Sequence, residues 1–151
     1  MKDRLWIIIV NYRSASLVID CLRSVWPRMS GSELGRVVVV DNASGDGSAE
    51  TIESSIRTLG WSDWCEVVVL DRNGGFSFGN NAAIRMALTT PIGPDNVLFL
   101  NPDTVVLPHA VEALVVFMDA NPGVGMAGSR LENAIGGIEC STHVFPTPLG
   151  E

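Results

Sequence analysis

Short unbroken apolar blocks alternate along the chain with longer stretches in which apolar residues recur every three or four positions. Residues 5–10, 37–40, 67–70 and 97–100 are apolar runs too short for helices, the first of them rich in β-branched side chains, so each predicts a strand. Because residues 97–100 do not alternate with polar residues, they predict a strand buried on both faces, as in the middle of a parallel sheet. Between them, Leu17, Val18, Cys21, Leu22 and Val25 fall on one helical stripe, and Ile52, Ile56 and Leu59 on another. Ala82, Ala83, Met86 and Ala87 suit a helix packed closely on a sheet, and Val111, Leu114, Val115 and Met118 mark the buried face of a fourth helix. Ser14 or Ser16 suits the first helix start, Glu50 and Glu53 lie in the early turns of the second, and Pro108 fits a first helical position. Pro27 and Ser30-Gly31-Ser32 are expected to end the first helix. Residues 123–127 read as a short fifth strand, and Gly136-Gly137 with Pro146 and Pro148 as an irregular tail or a hairpin. Four strand–helix repeats with short linkers predict an α/β protein with a mostly parallel, doubly wound sheet.

Three of the apolar blocks stop abruptly at polar groups: Asn11, the turn from Asp41 to Ser48, and Asn101-Pro102-Asp103. Pro102 cannot donate to a sheet ladder, so the strand ends there and Asp103 lies just past its carboxyl end. If the strands are parallel, all three polar groups converge on the edge where open α/β sheets bind ligands. Each also has an ordinary reading. Asp41 could cap its own turn or accept a hydrogen bond from a ligand, and Asn-Pro-Asp is good turn chemistry. The stretch from Asn73 to Asn81 holds Gly74, Gly75 and Gly79 and leads into a helix N-terminus, a natural anion site. It lacks the spacing of a Walker loop or a G-x-G-x-x-G fingerprint and reads equally as a flexible connection. Phe76, Phe78 and the four tryptophans read as packing residues, Arg72 and Arg85 as solvated surface, and His109 and His143 as without a site role.

Composition narrows the classes. A length of 151 residues suits one domain, 1–151, and 46% hydrophobic with 18% charged residues is ordinary for a globular chain. Net charge −7 argues against a nucleic-acid partner, because phosphate contacts need clustered Lys and Arg. Cys21, Cys65 and Cys140 have no C-x-x-C pairing, which suggests reduced thiols and a cytoplasmic setting. No apolar run is long enough to span a bilayer, and the short one near the start has no signal-peptide cleavage pattern after it.

Taken together, I-I-V-N-Y-R-S, V-V-D-N-A-S-G-D-G-S, N-G-G-F-S-F-G-N-N and L-F-L-N-P-D-T, in this order, resemble the amino-terminal half of family 2 nucleotide-sugar glycosyltransferases. The rhamnosyltransferase-like branch is the most similar, over about residues 5–131. The resemblance implies the type A glycosyltransferase fold, an α/β architecture with a Rossmann-like, mostly parallel sheet, helices on both faces and here a truncated extent. It implies an inverting, metal-assisted enzyme of cell-wall or polysaccharide biosynthesis that moves a sugar from a dTDP- or UDP-sugar to a saccharide or lipid-linked acceptor hydroxyl. Asp41 matches the acid that contacts the base, with Asn11 and Tyr12 beside it. Asn73, Gly75, Gly79, Asn80 and Asn101 complete the expected nucleotide-binding set. Asp103 matches the retained carboxylate of the D-x-D motif, a ligand for Mg²⁺ or Mn²⁺, while Asn101 replaces the first acid. The family's catalytic base is expected beyond Glu151, with the acceptor-binding part. The chain alone is therefore expected to be inactive, in the cytoplasm or at the inner membrane face. The alternative is a non-catalytic nucleotide-binding or interaction module that keeps the donor half of the fold.

Overall fold

The structure is a computed structural model that describes residues 4–29, 35–133 and 135–139. The chain divides into two compact units, Met1–Pro108 and His109–Glu151. In the first, β1 (Leu5–Asn11), α1 (Ala15–Met29), β2 (Gly35–Asp41), α2 (Ser48–Thr58), β3 (Cys65–Val69), α3 (Phe76–Thr89) and β4 (Asn96–Phe99) follow one another. The four strands form one parallel sheet in the order β3-β2-β1-β4.

All seven residues of β1 are buried, which explains why its sequence is apolar without alternation: the strand has a neighbour on each side and helices above and below. The chain crosses from β1 to β2 and on to β3 in one direction, through α1 and α2. It then returns past both through α3 to place β4 on the far side of β1. Crossovers of one hand but opposite direction put their helices on opposite faces. Accordingly Trp6, Ile8, Val38 and Val40 form a core with Ala83 and Ala87 of α3. The alternate residues Ile7, Ile9, Val37 and Val39 face the other way, where α1 packs on α2 and on β1. Val18, Cys21, Leu22 and Val25 are fully buried as the stripe predicts, whereas Leu17 is half exposed.

Several expectations change. The run at 97–100 is not a central strand. β4 lies at the edge of the described sheet, its residues are only partly buried, and Phe99 is 50% exposed. A four-residue apolar run looks the same in either place, and only the return crossover decides. Pro27 does not end α1, which continues to Met29 with Pro27 inside. Burial of Val25 and Met29, one turn apart, holds that last turn together. Ser30-Gly31-Ser32 lies outside the described residues. α3 begins at Phe76 rather than after Asn81, because Gly75 at φ 86° is its N-cap and its carbonyl accepts the Gly79 amide at 3.2 Å. Trp6, Trp61 and Trp64 pack inside, but Trp26 is 43% exposed.

The second unit holds α4 (Ala110–Ala120) and an antiparallel hairpin of β5 (Leu131–Glu132) and β6 (Ile138–Glu139). Pro108 is outside α4, which starts after His109 in a left-handed conformation, with Val111 and Val115 buried. Residues 123–127 form no strand: Val124 closes a turn on Asn121 at 2.9 Å. Of the irregular tail or hairpin expected from Gly136-Gly137, the hairpin is present, while Pro146 and Pro148 lie outside the described residues. Among the described residues no helix is long and apolar enough to cross a membrane.

Gly79 shows how close α3 lies to the sheet. A Cβ there would stand 2.9 Å from Val10 Cγ1, on a β-branched side chain with little freedom to turn away. Gly79→Ala gains about 1 kcal/mol of helix propensity, but overpacking of about 1–3 kcal/mol opposes it. A net loss of stability is expected in urea unfolding, smaller in a Val10→Ala background where the clash is gone. Simple additivity of the two substitutions would refute the contact.

Candidate functional site

The parallel register places Asn11 beside Asp41 at the carboxyl ends of β1 and β2. Both are essentially inaccessible, and they form a closed polar network. Asn11 Nδ2 donates to Asp41 Oδ2 at 2.6 Å and to Ser44 Oγ at 3.2 Å. Ser44 donates its hydroxyl to the same Asp41 oxygen at 2.6 Å and its amide to Oδ1 at 2.9 Å. Asn11 Oδ1 accepts from the Ser14 amide and hydroxyl, at 3.2 and 3.0 Å, so the Ser14 side chain turns back to the strand end as α1 begins. Arg13 donates its amide to Ser44 Oγ at 3.0 Å and its Nε to the Ser44 carbonyl at 3.1 Å. Arg13 and Ala43 both have positive φ, 55° and 56°, a strained state that this network holds in place. Asp41 therefore does cap its turn, and both of its oxygens are engaged within the protein.

A second link runs to the loop before α3. Asn42, also buried, donates through Nδ2 to Asn73 Oδ1 at 2.9 Å and to the Gly75 carbonyl at 3.0 Å. Asn73 Oδ1 also accepts the Gly75 amide at 2.9 Å. The start of α3 is thus tied to the end of β2. Neither Asn42 nor Ser44 stood out in the sequence as site residues, since their weight comes from long-range hydrogen bonds that a turn-like composition does not reveal.

Above this floor opens a cleft of about 420 Å³, a size that suits a small-molecule ligand. Its walls include Tyr12, Ser14 and Leu17 after β1, Asn42 after β2, Asn73, Gly75 and Phe76 before α3, and Asn101, Pro102 and Asp103 after β4. It lies at the carboxyl ends of the strands between β1 and β4, where the strand order reverses; open α/β sheets bind ligands at this position. Tyr12 and Phe76 are 45% and 53% exposed and supply apolar faces. The Arg13 guanidinium lies 5.1 Å from the Tyr12 ring centroid. Of the residues singled out from sequence, Tyr12, Asn73, Gly75, Asn101 and Asp103 line the cleft, and Asn11 and Asp41 support it from beneath. Gly79 and Asn80 do not line it. They are buried inside α3, where Gly79 meets Val10 and Asn80 Nδ2 donates to the Phe76 carbonyl at 3.1 Å.

Asp103 is exposed and is the one carboxylate among the residues that line the cleft. Among the described residues no three His, Cys, Asp or Glu side chains gather into a metal cluster. Behind the Asp103 segment, burial pushes the Cys21 thiol up to about 11; its contact with Thr104 opposes the shift and the negative Asp103 adds to it.

The architecture is the type A glycosyltransferase fold, as two solved structures show. The mannosyltransferase PcManGT from Pyrobaculum calidifontis, in complex with GDP-Man and Mn²⁺, matches 78% of the chain with 33% of its own, at TM-score 0.64 and 20% identity. S. aureus TarS 1-349 matches 81% of the chain with 33% of its own, at TM-score 0.62 and 24% identity. The same TarS segment has been solved in complex with UDP-GlcNAc. The chain thus spans about a third of the length of each of these structures. No curated protein matches it. The sequence profile of glycosyl transferase family 2 covers residues 6–144, and the chain belongs to that family.

Two predictions follow from the buried groups. Asp41→Ala strands the donors of Asn11 and Ser44 without water, at about 1–3 kcal/mol for each buried group left unpaired. Denaturant unfolding should show a loss of that size or greater, with Asp41→Asn costing less because it keeps an acceptor; equal stability of Asp41→Ala and wild type would refute the network. For Cys21, the folded thiol titrates above its ordinary value of 9.0, so the folded state holds its proton longer. Its contribution to stability is intact below pH 9 and is lost as the pH rises toward about 11. Stability measured across that window should fall less steeply in Cys21→Ala than in wild type.

Proposed function

We propose that the chain forms the donor-binding part of an inverting glycosyltransferase, which moves a sugar from a nucleoside diphosphate sugar to an acceptor hydroxyl with the help of a divalent cation. The observation that carries this reading is the convergence, at the switch point of a family 2 fold, of the exposed Asp103 carboxylate, the α3 N-terminus and the Tyr12 and Phe76 rings in one cleft. The base is uracil or thymine by resemblance to the rhamnosyltransferase-like branch, and the acceptor is a saccharide or lipid-linked molecule. The complexes of PcManGT with GDP-Man and of TarS with UDP-GlcNAc support a nucleotide sugar as ligand.

The donor set suits Mg²⁺ or Mn²⁺. Asp103 offers one carboxylate and Asn101 a neutral oxygen, and such a cation commonly completes its shell with phosphate oxygens and water. When bound there, the ion offsets the charge that develops on the diphosphate leaving group. Tyr12 and Phe76 offer apolar faces to the nucleoside, and Asn42 holds the Asn73–Gly75 backbone against the cleft wall. Asp41 acts from beneath, keeping the Tyr12 turn in its strained shape; to reach a base it would have to exchange one of its internal hydrogen bonds. A second reading, a nucleotide-binding module without chemistry, is favoured by the lack of another carboxylate lining the cleft among the described residues. Sugar transfer by the protein would rule that reading out.

The test is calorimetric. Mn²⁺ should raise the affinity for UDP or dTDP by about tenfold, and nucleotide should raise Mn²⁺ affinity by the same factor. Asp103→Asn should abolish this mutual effect and leave metal-free nucleotide binding and the fold intact. Coupling that survives in Asp103→Asn, or that is absent from wild type, would make Asn101-Pro102-Asp103 an ordinary turn.

A further inference from the structure

The segment that carries Asp103 leaves the sheet early. The last ladder bond on this side is the Leu100 amide to the Ile8 carbonyl at 2.9 Å, after which an edge strand of four residues offers nothing more to hold the chain. From there the backbone is fastened to α1 by side chains. Ser24 Oγ accepts the Val106 amide at 2.9 Å and donates to the Cys21 carbonyl at 2.6 Å, within its own helix. Cys21 Sγ donates to the Asn101 carbonyl at 3.7 Å and lies 3.8 Å from Thr104 Oγ1. Thr104 in turn donates its hydroxyl to the Asn101 carbonyl at 2.7 Å and its amide to the same atom at 3.3 Å. Asp103 thus sits on a span fixed at both ends, at Asn101 through Cys21 and at Val106 through Ser24.

We infer that Ser24 and Cys21 are positioning residues for the cleft carboxylate: α1, not the sheet, sets where Asp103 stands. Three points support this. The two contacts come from one helical turn, so they present a rigid pair of anchors. Cys21 is fully buried and Ser24 half-buried, so water competes poorly with either bond. The same helix also carries Leu17 into the cleft wall, so a shift of α1 would move the wall and the carboxylate together. The role rests on the reading of Asp103 as a metal ligand, and it adds which residues hold that ligand ready. A preorganised ligand binds its ion without an ordering cost. Loosening the anchors should therefore weaken the cation-dependent part of nucleotide binding and spare the part that depends on Tyr12, Asn73 and Phe76.

The experiment uses the full chain, Mn²⁺ and UDP, with amide hydrogen exchange followed at Val106. In Ser24→Ala, Val106 should exchange faster and the Mn²⁺ enhancement of UDP affinity should drop about fivefold, the weight of one ordinary hydrogen bond. Metal-free UDP affinity should be unchanged. Ser24→Thr, which keeps the hydroxyl, should restore both readouts. Cys21→Ala should lower the enhancement in the same way, and Cys21→Ser, which keeps a donor, should recover part of it. If Val106 loosens in Ser24→Ala while the enhancement stays at the wild-type value, the positioning role is overturned and the metal reading stands. If the wild type shows no enhancement, both fall, and the unmodified protein alone reveals that case.

Discussion

The hydrogen bond between Asn11 and Asp41 joins the ends of the two innermost strands, and the cleft depends on it. Register alone brings these residues level, yet two polar side chains at the end of a buried parallel pair would be costly if left unpaired. Ser44 completes the set, and the chain folds back to supply it, which forces Arg13 and Ala43 into left-handed conformations. The turn that presents Tyr12 and the turn that presents Asn42 are thus two sides of one buried polar cluster. From Asn42 the constraint passes to Asn73 and Gly75, and so to the start of α3.

The order of elements up to α4 could be read from the sequence because each strand of the parallel sheet holds a block of apolar residues and each helix a stripe. Asn11, Asp41 and Asp103 stood out as the residues at which apolar blocks break off, and parallel strands necessarily bring such breaks to one edge. Other features depend on partners remote in the chain. Val97 to Leu100 look as apolar as Val37 to Val40, and nothing local tells an edge strand from an interior one. Gly75 reads as a loop residue by composition, though its positive φ starts a helix. Pro27 reads as a helix end, but the burial of Met29 beyond it outweighs its local preference. Cys21 belongs to a helical stripe in the sequence and Ser24 is a plain polar position in the same helix, and their contacts with the segment after β4 appear only in three dimensions.

On the proposed reading the ligand lies in the cleft at the switch point of the sheet, and the chemistry of the cleft narrows what it would be. A surface with net charge −7 repels a free diphosphate at long range. On that reading, affinity for such a ligand would come from short-range groups: helix-terminal amides, ring faces and a cation that would turn the single carboxylate from a repulsive group into an anchor.

The reversed crossover also governs the order in which the cleft can be built. β1 pairs with β2 across a crossover of one helix, α1, but its other neighbour begins only at Asn96, which pairs with Leu5. Closing the longer loop costs more chain entropy, and the partner is the last of the four strands to be synthesised. A nascent chain can assemble β1, β2 and β3 while one flank of β1 stays open, a surface of Ile and Val backbone able to accept a wrong strand. Arrival of β4 seals that flank and, in the same step, delivers Asp103 to the cleft. On the proposed reading, ligand-binding competence would thus emerge together with protection from misassembly, once the last of these four strands is made.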